Sequence, residues 1–360
     1  MLERTFFPRL ILRFALVATG VLMLLIAPLL VIARQQPDPG QMVFWMNGRF
    51  GQALYVIDTR RLMWTRLNAP PPYAVVETPH LSQNGQRAVF GTVDRGQLSI
   101  YVKDIQRGII YITDSRAEDR LAALSPDGQR VAYWSSSENR LNTRFQNWHL
   151  MIRDIDTGAA RIITQQLAVI PYDRPLWSPD GRRLIVRFWE GGEDAGTHII
   201  DTVSGELERI TPLLGLAGDL EWAHDDEHLV FRSTRDGNPE IYVLNLLSHQ
   251  VTNLTHNPAT DFQPTWSPDS RHIVFVSNRE GRGEIHRMNA DGSNLIRLSE
   301  GGGWQPIWSP EGGQIAFISW RGNTDAIYLV NADGSDLRYV TDLDNGQQFV
   351  GWYALSLIHI

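Results

Sequence analysis

A five-residue motif returning at near-constant spacing predicts an all-β fold, a ring of four-stranded blades forming a seven-bladed β-propeller, with six blades as the alternative. Three observations carry this. Trp177-Ser178-Pro179-Asp180-Gly181 recurs as WSPDS at 266–270 and WSPEG at 308–312, with weaker copies at 124–128 (LSPDG), 81–85 (LSQNG) and 222–226 (WAHDD). The copies begin at Leu81, Leu124, Trp177, Trp222, Trp266 and Trp308, and Trp352 follows in register; the intervals are 43, 53, 45, 44, 42 and 44 residues, a period expected of propeller blades. Finally, the two ends of the array are complementary. Residues 43–67 supply strands two to four of a blade (VFWM, ALYVI, WTRL) without a first strand, and 349–352 supply a first strand with nothing after it. Joined, they make one composite blade beside six full repeats, and closure removes the sheet edges that invite aggregation.

Taken in order, the chain opens on a membrane element. Residues 14–33 carry no charge, and a helix of that length spans about 30 Å, the thickness of a bilayer core. Arg4, Arg9 and Arg13 precede it, which predicts a cytoplasmic N-terminus and a single pass, with residues 1–34 as stub and signal anchor. A cleaved signal peptide ending at Val31-Ile32-Ala33 is the competing reading; its apolar regions run about 7–15 residues, shorter than this one. Residues 35–42, with Pro37 and Pro39, read as a short linker that keeps the propeller near the membrane face.

The propeller itself is expected over 43–352. The repeat at 263–299 shows the plan: a short strand ending in Trp266, the turn Ser267-Pro268-Asp269-Ser270, the apolar strand HIVFVS, a glycine-bearing hairpin, the strand EIHRMN, the turn NADGS and an outer strand LIRLS. Proline suits the second position of such a turn, and aspartate bonds its own backbone. The 53-residue interval holds an insertion, Ser135 to Trp148, longer than a hairpin needs. Long loops in compact folds are often functional or disordered. Residues 353–360 (YALSLIHI) lack the turn that should follow Trp352, and read either as a terminal strand or as the mark of an incomplete chain.

The repeats of the form PxWSPDGxxIxFxS…IYxxNADGSxLxRLT, plainest at 263–299 and 304–341, resemble the TolB-type, or WD40-like, propeller repeat. The resemblance covers 43–352. It implies a periplasmic or envelope scaffold, and it is shared with the propeller halves of prolyl-oligopeptidase-like serine peptidases. Two departures stand out: no α/β domain separates anchor from propeller, and seven blades are expected instead of six. The fold and class therefore transfer, but not the family's particular partner.

Composition narrows the chemistry. The chain lacks cysteine, so disulfides and thiolate metal sites are excluded. Its net charge is −7; four arginines against Glu3 give residues 1–34 a charge of +3 and leave −10 for the remainder. An acidic body with one lysine, Lys103, argues against a nucleic-acid partner. His224 to His228 fits an HxxEH zinc pattern, but that motif needs a helix, and alignment to Trp177 places it over a turn. GxSxG does not occur. Neither a catalytic set nor a metal or cofactor site is expected.

Two places remain for binding. Aligning three residues before each repeat tryptophan gives Arg174, Asp219, Gln263 and Gln305, and His80, Arg120, Asp173 and Glu221 lie close by. This mixed ring at the channel mouth suits a peptide or a small polar ligand; solvating the mouth is an equal reading. The insertion contributes Arg140, Arg144, Phe145 and Trp148 as a partner loop. The expected function is that of a non-catalytic scaffold at the outer face of the cytoplasmic membrane, binding a protein, peptide or other component of the envelope. A ligand-binding or sensory module of an incomplete peptidase-like enzyme is the alternative.

Overall fold

In the computed structural model the described residues run from 41 to 353, apart from 49–50, 59–62, 68–76, 78, 84–85, 95, 105–106, 114–116, 137–146, 165–166, 169, 190–194, 215–216, 321–323 and 344–346. The expected anchor at 14–33, the linker up to residue 40, and the tail from residue 354 lie outside them. Among the described residues no helix is long and apolar enough to cross a membrane. One helical turn, Thr211–Leu214, is the single helix described.

The described strands form antiparallel sheets in seven groups that we number I to VII. Sheet V shows the order: Asp261–Trp266 innermost, then His272–Ser277, Glu284–Asn289 and Ile296–Arg297 outermost. Sheets I, II, III, IV and VI repeat it over His80–Tyr111, Glu118–Ala168, Ile170–Arg209, Ala217–Asn253 and Trp304–Asp342. Sheet VII joins the chain ends. Gln347–Tyr353 is its inner strand and pairs with Gln41–Gly48, followed by Gly51–Asp58 and Met63–Leu67. The register sets Val43 opposite Gly351 and Phe44 opposite Phe349, the union that the truncated repeats at either end require. The inner strand of sheet VII also adjoins those of sheets VI and I.

The recurring turn is a hydrogen-bonded device. Ser178 Oγ donates to Asp180 Oδ1 (2.6 Å) and accepts from the Arg183 backbone N–H (2.9 Å), while Asp180 accepts from the Arg182 N–H (2.9 Å). Ser267 and Asp269 repeat the arrangement. Ser82, Ser125, Ser178, Ser267 and Ser309 are all buried. Position five of the motif adopts a left-handed backbone: φ is 70° at Gly128, 69° at Gly181 and 74° at Gly312, a conformation that favours glycine.

The core lies between sheets. Sheets I and II close over Val89, Ile100, Val102, Val131 and Tyr133; sheets V and VI over Val274, Val276, Ile285, Ile315 and Phe317. The repeat tryptophans Trp177, Trp222, Trp266 and Trp308 are buried in these seams. Three of them bond backward to the inner strand of the preceding sheet: Trp177 Nε1 to the Ala123 carbonyl (3.1 Å), Trp222 to Leu176 (3.3 Å) and Trp308 to Thr265 (3.2 Å). Burial of each such side chain contributes about 1.5–3 kcal/mol, so these four seams each hold a buried indole.

Candidate functional site: the inner strands

The inner strands carry a bulge at the third residue before the repeat position. In sheets II, IV, V and VI the pairing register slips there, and Leu121, Asp219, Gln263 and Gln305 take φ values of 56°, 49°, 51° and 52°. The bulge leaves a backbone N–H unpaired within its own ladder. The preceding sheet satisfies it. Asp219 Oδ2 accepts from the Gln263 N–H (3.1 Å), Gln263 Oε1 from the Gln305 N–H (2.8 Å), and the Glu77 carboxylate from the Leu121 N–H (3.0 Å). Asp219, Gln263 and Gln305 do form a set, as the repeat alignment indicates. Their bonds, however, run from sheet to sheet: Asp219 and Gln263 each hold the next bulge in place, so these two are neither unengaged ligand groups nor merely solvated ones.

The remaining residues of the expected ring divide by partner. Glu221 accepts from Thr265 Oγ1 (3.0 Å) on the next inner strand; desolvation inside the ring pushes its pKa up to about 7, against the lowering effect of that bond. His80 accepts the Leu124 N–H at Nδ1 (3.2 Å), which leaves its proton on Nε2. Desolvation, with the Arg174 charge adding to it, lowers the His80 pKa to about 3. The imidazole is thus neutral at pH 7. Asp173 is ion-paired with Arg187, its carboxylate accepting from Nε at 2.6 Å, although desolvation still outweighs that pairing and raises its pKa. Arg120 lies over the Trp148 ring, 4.2 Å from its centroid.

Trp148 requires a correction. It does not sit on a partner loop but within the strand Asn147–Asp154, opposite Ser136, and is only 2% exposed. The apolar seam between sheets II and III takes the indole. Arg140, Arg144 and Phe145 lie outside the described residues. His224 to Glu227 form the turn before the strand His228–Ser233, so the two histidines are not presented on a helix.

Several contributors were missed by the sequence reading. Arg187 and Arg232 stand ten residues after Trp177 and Trp222, and each binds an aspartate, Asp173 between two inner segments and Asp219 on an inner strand; Arg232 Nε lies 2.8 Å from Asp219 Oδ2. Tyr172, 66% exposed, carries the Arg187 guanidinium 5.1 Å from its ring centroid. Aligning the repeats past the motif would have shown the two arginines at one offset. Together these groups make a rim of alternating charge with an exposed aromatic, on sheets III and IV.

Comparison with known proteins bears on this geometry. Residues 137–349 match the family model described as the TolB beta propeller domain. A Tol-Pal system protein TolB from Alcanivorax borkumensis is 31% identical over 82 residues, which is 23% of this chain and 19% of that protein. The matched segment thus spans about a fifth of that relative's length. Among solved structures, TolB from Acinetobacter baumannii superposes with a TM-score of 0.50 at 17% identity, covering 84% of this chain and 78% of the other. A puromycin-hydrolyzing peptidase from Mycobacterium tuberculosis gives a TM-score of 0.62 at 14% identity, covering 85% and 54%. Similarity at such identities concerns the fold alone.

Proposed function

Because the chain belongs to the TolB beta propeller domain family, we propose that it is a seven-bladed, extracytoplasmic propeller that binds a protein or peptide of the cell envelope and catalyses no reaction. Each of the seven sheets is one blade on this reading. Residues 14–33 hold it to the cytoplasmic membrane, with the N-terminus inside.

The observation that carries the proposal is the rim of sheets III and IV. The Asp173–Arg187 and Asp219–Arg232 pairs are partly open to solvent, and exposed Tyr172 packs on the Arg187 guanidinium. Exposed aromatic and arginine side chains are the types enriched where proteins meet. The inner-strand carboxylates and amides are meanwhile used to join blades. The Alcanivorax relative is named as a component of a Tol-Pal system, which favours a protein partner.

The test is cross-linking of the full chain to envelope proteins in membranes, with identification of the captured species. Tyr172→Ala combined with Arg232→Glu should abolish the specific capture, while Leu247→Ala on the opposite face should leave it intact. Capture indifferent to the rim, or peptide hydrolysis by the purified chain, refutes the proposal. A chain beginning at residue 35 should leave the membrane fraction.

A further inference from the structure

Sheets I to III share a latch. Their second strands begin with Arg87, Arg130 and Arg183, and each guanidinium crosses to the next sheet to donate to a carbonyl at position five of its motif. Arg87 Nη1 reaches the Gly128 oxygen (2.9 Å), Arg130 Nη2 reaches Gly181 (2.8 Å), and Arg183 Nη2 reaches Asp226. Two of these arginines also cover the next repeat tryptophan: Arg130 lies 4.8 Å from the Trp177 centroid and Arg183 4.9 Å from that of Trp222.

Sheet IV departs from the pattern. The equivalent residue is His228, and its imidazole stays within its own sheet. Nδ1 meets Asp225 Oδ2 at 2.8 Å, and Asn245 Nδ2 meets Nε2 at 2.9 Å. At the next seam, between sheets V and VI, His272 leans toward Trp308, with ring centroids 6.2 Å apart. Between sheets IV and V neither device operates. A cavity of about 360 Å³ opens there instead, lined among others by Asp225, His228, Asn245, Trp266, Ser270 and Asp291.

The groups left at this seam match the chemistry of the group the other seams supply. Trp266 lines the cavity with its aromatic ring, and Ser270 Oγ, which can accept, has no hydrogen-bond partner. Among the described residues, no lysine or arginine lines the cavity, and two carboxylates do. The charges of Asp225, Asp226 and Asp269 all act on neighbouring His224, so this side of the seam is strongly anionic. A volume of this size falls at the lower end of small-molecule pockets. A planar cation over a tryptophan face gains about 0.5–2 kcal/mol from that contact, and guanidinium adds several N–H donors.

We propose that the cavity between sheets IV and V binds a guanidinium cation, taking in from outside the group that Arg87, Arg130 and Arg183 provide internally. The cation lies over Trp266, donates to the Ser270 carbonyl, and is neutralised by Asp225 and Asp291. Its source is either a small guanidino compound or an arginine side chain borne by a peptide.

Calorimetric titration of the full chain tests this, using agmatine, N-acetyl-arginine amide as the peptide-like form, and butylurea as a neutral planar control. Either guanidinium compound should bind at least about tenfold more tightly than butylurea, with a change in tryptophan fluorescence. Tighter binding of the arginine amide assigns the site to a peptide, and tighter binding of agmatine to a free compound. His228→Arg supplies the missing latch in cis, and should weaken guanidinium binding at least about tenfold while holding or raising Tm. Asp291→Asn, at an exposed turn, should weaken binding without changing the fold and serves if the arginine variant does not fold. Guanidinium binding no better than that of butylurea, or unchanged in either folded variant, overturns the proposal.

Discussion

Glu221 offers the sharpest quantitative test of the inner-strand geometry. Its folded-state pKa, about 7, stands above the ordinary 4.5 because the ring of strands desolvates the carboxylate. In the unfolded chain the group ionises near 4.5; in the folded protein it holds its proton until about pH 7. Between those limits the folded state binds more protons, so stability falls as pH rises through the window and is level above it. A displacement of about 2.5 pH units corresponds to a ceiling of about 3 kcal/mol. Glu221 is only half-buried, which reduces the cost to about 1–3 kcal/mol. Glu221→Gln keeps an oxygen acceptor for Thr265 Oγ1 and cannot ionise. Urea unfolding followed by tryptophan fluorescence should therefore show the variant more stable than wild type at pH 8 and equal to it at pH 4. Equal stabilities at pH 8, or a wild type whose relative stability rises between pH 4.5 and 7, would refute the reasoning.

His80 should show the mirror image. With its folded pKa lowered to about 3, the unfolded chain takes up the proton first, and stability is lost as pH falls from about 6.5 toward 3. His80→Asn places an oxygen near the Nδ1 position to accept from Leu124, and should remove that acid slope in the same unfolding assay. Ser178→Ala removes a buried hydroxyl that accepts the Arg183 N–H and bonds Asp180; the orphaned donor should cost about 1–3 kcal/mol, measured as a lower urea midpoint at constant m-value. Deleting residues 347–360 removes the inner strand of sheet VII and should abolish cooperative thermal unfolding, whereas deleting residues 1–36 should not. Calorimetry distinguishes the two.

The architecture was legible because the repeats write it twice, as an interval near 44 residues and as incomplete ends. The incomplete ends named the strands that join, in agreement with the pairing of Val43 and Gly351. The turn chemistry of Ser178 and Asp180 was readable for the same reason: a local hydrogen-bond pattern depends on residues two to five apart. The site was harder. A repeat alignment located Asp219, Gln263 and Gln305 but not what they do, because their partners lie 42 to 44 residues away across a seam. Nothing local announces that the bulge N–H needs an acceptor there. Trp148 misled for a related reason. It follows a polar stretch and reads as part of it, yet strand pairing resumes at Asn147 and turns the indole inward.

The sheet-to-sheet bonds also constrain where a partner can act. The Asp219–Gln263–Gln305 series ties three consecutive inner strands at positions where the backbone has left the ladder. Ligand groups competing for those acceptors would have to offer better hydrogen bonds than the bulge N–H groups, whose bonds to Asp219 and Gln263 are exposed. A ligand that takes those acceptors therefore loosens the contacts that tie one sheet to the next. Tyr172 packs on Arg187, which pairs with Asp173 outside that series, whereas Arg232 pairs with Asp219 within it. The Asp219–Arg232 pair, about one-third exposed, is one a partner can exchange for about 1 kcal/mol or less. A peptide that also displaces the Gln263–Gln305 bond should therefore bind more weakly than one that exchanges only the Asp219–Arg232 ion pair.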